Sequence, residues 1–123
     1  MQSNFGQSGA SVPGGAVFDA AAASADLGLT LEEFAPLLTK AAVEIRLRLD
    51  AVKQGMAESD LDAVALNSHT MKSVAATLGA EAARQAAFDL ERCAKTGDVA
   101  RSHELLAELE PRALELLAEL DRA

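Results

Sequence analysis

Apolar residues recur in steps of three and four along most of this chain. From Phe34 the series runs through Leu37, Leu38, Ala41, Ile45, Leu49, Val52 and Met56, the spacing that keeps one face of an α-helix buried. Just before it stands Thr30-Leu-Glu-Glu33, a capping box in which the threonine oxygen accepts from the Glu33 amide and the Glu33 carboxylate reaches back to the Thr30 amide. The pattern predicts a helix from Thr30 to about Gly55, with Pro36 slightly inside it and able to kink it. A second series, Leu61, Val64, Ala65, Ser68, Met71, Val74, Ala75 and Leu78, predicts a helix capped by Ser59 or Asp60 and closed at Gly79. A third runs from about Ala80 to Thr96 with Ala83, Ala86, Ala87, Leu90, Cys93 and Ala94 inward, and Gly97 supplies a left-handed cap. Asp98 then caps a last helix whose stripe is Val99, Leu106, Leu109, Ala113, Leu116, Leu117 and Leu120, with Pro111 expected to bend or divide it near Glu110.

The chain before these helices reads differently. Residues 1–16, rich in Gly, Ser and Gln, carry too little apolar periodicity to offset the entropy of ordering and are expected to be a flexible tail. The segment from Val17 to Leu27 predicts a short, weak helix, with Val17 and Phe18 available to cover one end of the core. Four long amphipathic helices with short connections make an all-α fold, and the simplest packing is an antiparallel up-and-down four-helix bundle with a short extra N-terminal helix, one domain over residues 17–123. The length of 123 residues suits one core and is too short for two ordinary domains. Alanine and leucine dominate, with four phenylalanines as the only aromatic residues, which agrees with closely packed helices.

Charge narrows the function. With 11 basic and 19 acidic side chains the net charge is -8, which repels nucleic acid and acidic membrane surfaces. No lysine or arginine precedes Lys40 and no apolar run reaches spanning length, so a signal peptide and a membrane helix are not expected and the expected location is cytoplasmic. The single cysteine, Cys93, cannot form an internal disulfide and is expected to be a small buried side chain.

His69 is one of two histidines, and it carries the candidate chemistry. At about 100° per residue it falls about 140° from the centre of its helix's apolar face, so it should meet water. Lys72 and Ser73, three and four residues on, share its face with Ala65 and Ala76, which leaves the imidazole ringed by small side chains and one cation. A core histidine conflicts with that face. A bundle metal site would place Glu three residues before each histidine, where this chain has Leu66 and Ala100, so no metal is expected. Ser73 as a nucleophile activated by His69 lacks a group to orient the ring and lacks oxyanion donors in mid-helix. His103, between Ser102 and Glu104, reads as a solvated surface residue. What remains is an exposed imidazole whose ring nitrogen attacks a phosphoryl centre, with Lys72 offsetting a phosphoryl charge of about -1.5 to -2. At about 4 Å one such charge pair is worth roughly 1 kcal/mol in water and roughly 4 at an effective dielectric near 20, and an exposed site sits near the lower value.

The string His69-Thr-Met-Lys72-Ser73-Val-Ala-Ala-Thr-Leu78-Gly79-Ala80 resembles the phosphorylated-histidine motif of the histidine-containing phosphotransfer domains of bacterial phosphorelays, roughly H-x-L-K-G, small residues, then an apolar-Gly pair. The likeness extends through Asp60-Leu-Asp-Ala63, Leu90-Glu91, Ala94 and Gly97-Asp98, from about residue 18 to the end. It implies a four-helix carrier phosphorylated on a ring nitrogen of His69, with Lys72 supporting the phosphoryl group and Ala65, Leu66, Ser73 and Ala76 bordering the docking surface. It implies response-regulator receiver domains and a hybrid sensor histidine kinase as partners; the net charge of -8 leaves no nucleic acid or membrane partner expected, and a monomer is the plain expectation. No cofactor of its own is implied, since the receiver brings the Mg²⁺ pocket and the aspartate, and nothing in the chain resembles an ATP-binding loop. Where the family usually has glycine this chain has Ser73, whose hydroxymethyl group could narrow the approach or bond to the ring. Two readings besides a carrier stand: a module of the same fold that regulates a kinase or receiver by contact without phosphate, and an unrelated helical interaction protein.

Overall fold

In the computed structural model, residues 18–122 are described, and they form five helices and no strand. The expected flexible tail of residues 1–16, and Val17, lie outside the described residues. The helices are α1 (Ala20–Asp26), α2 (Leu31–Ala57), α3 (Leu61–Leu78), α4 (Glu81–Thr96) and α5 (Val99–Arg122). Helix α1 starts where Asp19 Oδ1 accepts from the Ala22 amide at 3.1 Å. Its buried Ala23 and Ser24, together with Phe18 tilted against Phe34 at 6.4 Å between ring centroids, seat it on α2 and α3.

The capping box of α2 is complete: the Glu33 amide donates to Thr30 Oγ1 at 3.0 Å and the Thr30 amide donates to Glu33 Oε1 at 2.9 Å. Such a cap is worth about 1 kcal/mol, whereas fully burying one large apolar side chain is worth about 1.5–3 kcal/mol. Phe34, Ile45, Val52, Val64, Leu90, Leu109 and Leu116 are each exposed by 1% or less, so packing outweighs capping in holding the helices. Consecutive long helices pack on one another, and α5 returns to α2. Helices α3 and α4 pack most extensively, with Ala75, Ala80, Ala83 and Ala87 buried between large neighbours where small side chains allow close approach.

The turn between α2 and α3 is tight. Gly55 lies where a Cβ would stand 3.0 Å from Val64 Cγ2 and 3.2 Å from the Asp60 carbonyl, so only glycine fits without a shift. Asp60, rather than Ser59, caps α3 by accepting from the Ala63 amide at 3.1 Å, and α2 runs two residues beyond Gly55. Gly79 and Gly97 end α3 and α4 in the left-handed region at φ 72° and 83°.

Four expectations are corrected. Helix α5 is not divided at Pro111 but continues from Val99 to Arg122. Pro111 and Ala107, whose carbonyl loses its donor, are both exposed, so water can satisfy that oxygen while buried Leu109 and Ala113 hold the other face. Val99, at the first turn of α5, is 39% exposed and its place in the stripe is taken by Leu105. Leu37 is 42% exposed, at the rim of an apolar groove between α2 and α3. Cys93 is half-buried, its thiol receiving the Ser102 hydroxyl at 3.5 Å. Among the described residues, no helix is long and apolar enough to cross a membrane.

Candidate functional site

His69 lies midway along α3 with its side chain 54% exposed, on the face that the periodicity assigns to water. The ring does not stand alone. Its Nδ1 is 3.0 Å from Oε2 of Glu91, which reaches across from α4. Glu91 is only 4% exposed, and Lys95, one turn further along α4, donates to the same Oε2 at 3.1 Å. Lys72 Nζ sits 2.7 Å from Oε1, a charge contact without hydrogen-bond alignment, yet short enough for strong attraction. Lys72 also lies 5.2 Å above the centre of the Phe88 ring and is 23% exposed, while Lys95 is 65% exposed.

These contacts decide the charge states. Burial pushes the Glu91 carboxyl up, but the ammonium groups of Lys72 and Lys95 and the contact with the His69 ring outweigh it and hold the group down at about 2. Glu91 is therefore a carboxylate at any ordinary pH, and a carboxylate only accepts. The hydrogen between it and His69 must then be carried by Nδ1, and in the neutral imidazole that tautomer has its lone pair on Nε2. Nε2 has no protein partner among the described residues. Such an arrangement would suit a nucleophile: Glu91 orients the ring, the side chain is more than half exposed, and the far ring nitrogen has no protein partner among the described residues.

The residues named from the sequence fall into place unevenly. Leu66 is 64% exposed one turn before His69, and Ser73 and Ala76 are exposed on the same side. Ala65 is buried, forming with Asp62, Leu66, His69, Glu91 and Lys95 the wall of an open depression of roughly 450 Å³. The Ser73 hydroxyl donates to the His69 backbone carbonyl at 3.2 Å and not to the imidazole, so the ring does not activate it. The expectation that no third group orients the imidazole is overturned by Glu91. His103 is exposed, and no cluster of His, Cys, Asp and Glu that could hold a metal occurs among the described residues.

Sequence reasoning missed two members of this cluster, Glu91 and Lys95. A signal was present: Glu91 stands four residues after Ala87, on the inward stripe of α4, where an unpaired carboxylate would be too costly to bury. Its partners come from another helix and from the next turn of its own.

Comparison with known proteins gives one match. A family model described as the Hpt domain matches residues 27–123. No curated protein and no solved structure matches the chain.

Proposed function

The chain belongs to the Hpt domain family, which ties it to two-component phosphorelays and their receiver and kinase components, and on that premise we propose that it is a phosphohistidine carrier. His69 takes a phosphoryl group from a receiver aspartate and passes it to another. The observation that carries this reading is the Glu91 contact, which holds a hydrogen at Nδ1 and so places the neutral ring's lone pair on Nε2, in a side chain that is more than half exposed.

In the proposed step Nε2 attacks phosphorus as the O–P bond of the aspartyl phosphate breaks, and the receiver carboxylate leaves with the bonding pair. The ring becomes cationic with its Nδ1 proton still in place, and the Glu91 carboxylate offsets that charge. No proton has to move in either direction, so the return transfer meets the same geometry in reverse. Lys72 supports the phosphoryl group by balancing its charge, and its contact with Glu91 keeps it beside the ring. In this reading the Mg²⁺ belongs to the partner receivers, and the carrier role needs no ATP-dependent kinase activity from this chain.

The same reading includes a domain over residues 17–123 arranged as an antiparallel up-and-down four-helix bundle, with α1 as the extra helix; the packing of α5 back onto α2 supports it. Ala65, Leu66, Ser73 and Ala76 border the surface on which a receiver docks. The protein acts in the cytoplasm as a monomer, receiving its phosphoryl group from a hybrid sensor kinase's receiver.

The test is transfer of labelled phosphate from a phosphorylated receiver domain, beside a His69→Gln control. The expected product is acid-labile and base-stable, and the label disappears in His69→Gln with helicity unchanged. Label persisting in that variant would remove His69 from the reaction. No transfer from a broad panel of receivers to the folded protein would instead favour regulation by contact.

A further inference from the structure

Along the outer side of α2 lies a stripe that the carrier reading does not use. Leu37, Val43 and Leu47 are exposed by 42%, 51% and 60%, three large apolar side chains on one helix face. At about 100° per residue Leu37, Lys40, Glu44 and Leu47 fall within about 80° of one another, and Val43 stands about 40° further round. On one side the stripe borders the apolar groove between α2 and α3, where Leu37, Lys40 and Glu44 meet Val74 and Leu78. His69, Glu91 and Lys95 belong to the seam between α3 and α4 and not to this face.

We propose that this face of α2 pairs with the same face of a second copy of the chain, the two helices running antiparallel about a two-fold axis at Ala42. The pattern is its own complement. Reversing the segment about Ala42 lays Leu37 on Leu47 and Lys40 on Glu44, so each copy brings the apolar side chain and the opposite charge that the other needs. An isologous contact demands that symmetry, whereas a foreign partner does not. The charges are available for it. Lys40 has no ion-pair partner among the described residues. Glu44 accepts from Arg48 on Oε2 at 2.6 Å, which keeps Oε1 for a second donor. In the pair, Leu47 of one copy meets Leu37 of the other at the mouth of the groove, and the two-fold axis repeats the contact. The stripe from Leu37 to Leu47 is about 15 Å long, too short for the area that a permanent dimer buries. Pairing is therefore reversible, and the monomer of the carrier reading is one side of a concentration-dependent equilibrium. Pairing does not depend on phosphotransfer, so either can fail without the other.

Sedimentation equilibrium of the full chain over a range of concentrations tests the pairing, with Lys40→Glu, Glu44→Lys and the double variant that carries both changes. Loading of His69 by phosphoramidate, a small donor that needs no docking surface, checks that each variant keeps its site. Wild type should approach the mass of two chains as its concentration rises. Each single reversal sets like charges against each other at both symmetric contacts and should weaken association about tenfold or more. The double variant should restore it, and an equimolar mixture of the two single variants should pair where neither does alone, because each then meets its opposite. A wild type that stays monomeric to about 1 mM overturns the proposal; Leu37 and Leu47 methyl signals that then shift on adding a receiver domain would assign the face to a receiver. Association that survives both single reversals unchanged places the contact on another face and overturns it equally.

Discussion

Glu91 is the residue on which the site turns, because a carboxylate only 4% exposed persists only if its charge is answered. Three nitrogens answer it, and they lower its ionisation from 4.5 to about 2. A group whose folded value lies below its unfolded one stabilises the fold above the unfolded value, and that contribution is lost as pH falls toward the folded one. Between pH 4.5 and about 2 the wild type should therefore lose stability more steeply than Glu91→Gln. Near neutrality the variant should be less stable by about 1–3 kcal/mol, because Lys72 loses its charge partner inside the protein. Urea unfolding at a series of pH values reads both effects. Parallel curves for the two proteins would mean that another carboxylate carries the acid dependence.

At the scale of the elements, the turn from α2 to α3 sets where the His69 helix begins. Alanine for glycine inside a helix ordinarily gains about 1 kcal/mol. At Gly55 that gain meets a Val64 methyl at 3.0 Å and a backbone oxygen of Asp60 at 3.2 Å. Val64 is fully buried, and the Asp60 amide is tied to the Gly55 carbonyl at 2.8 Å, so neither neighbour yields easily. Gly55→Ala is expected to lower Tm, by about 4 °C or more if the net loss reaches about 1 kcal/mol. A higher Tm in thermal unfolding would show that the turn relaxes around the added methyl. The same scale explains the uninterrupted α5: one missing donor at Pro111 falls on the wet side, and a stripe of buried leucines outweighs it.

For the whole molecule, an acidic chain of net charge -8 presents its proposed reactive ring beside two lysines and an exposed leucine. If receivers dock there, Leu66→Ala should lower transfer from a receiver by about tenfold or more, the effect of losing about 1.4 kcal/mol or more at an interface. Loading by phosphoramidate should stay at the wild-type rate, since that reaction needs no interface. Equal losses in both assays would place the effect of Leu66 on the ring rather than on docking.

The sequence by itself determined the helices, their caps and the outward face of His69, because each depends on residues within a few turns of one another. Thr30 with Glu33, the stripe from Phe34 to Met56 and the glycines at 79 and 97 are local signals, and the elements follow them closely. Only the tertiary structure decided what His69 touches. Glu91 is 22 residues away in the chain, and its approach depends on how α3 and α4 pack. The spacing along α4 marks Glu91 as inward, but no spacing within one helix says which helix it faces. For the same reason Lys95, distant from His69 in sequence, shares a carboxylate oxygen with it in space.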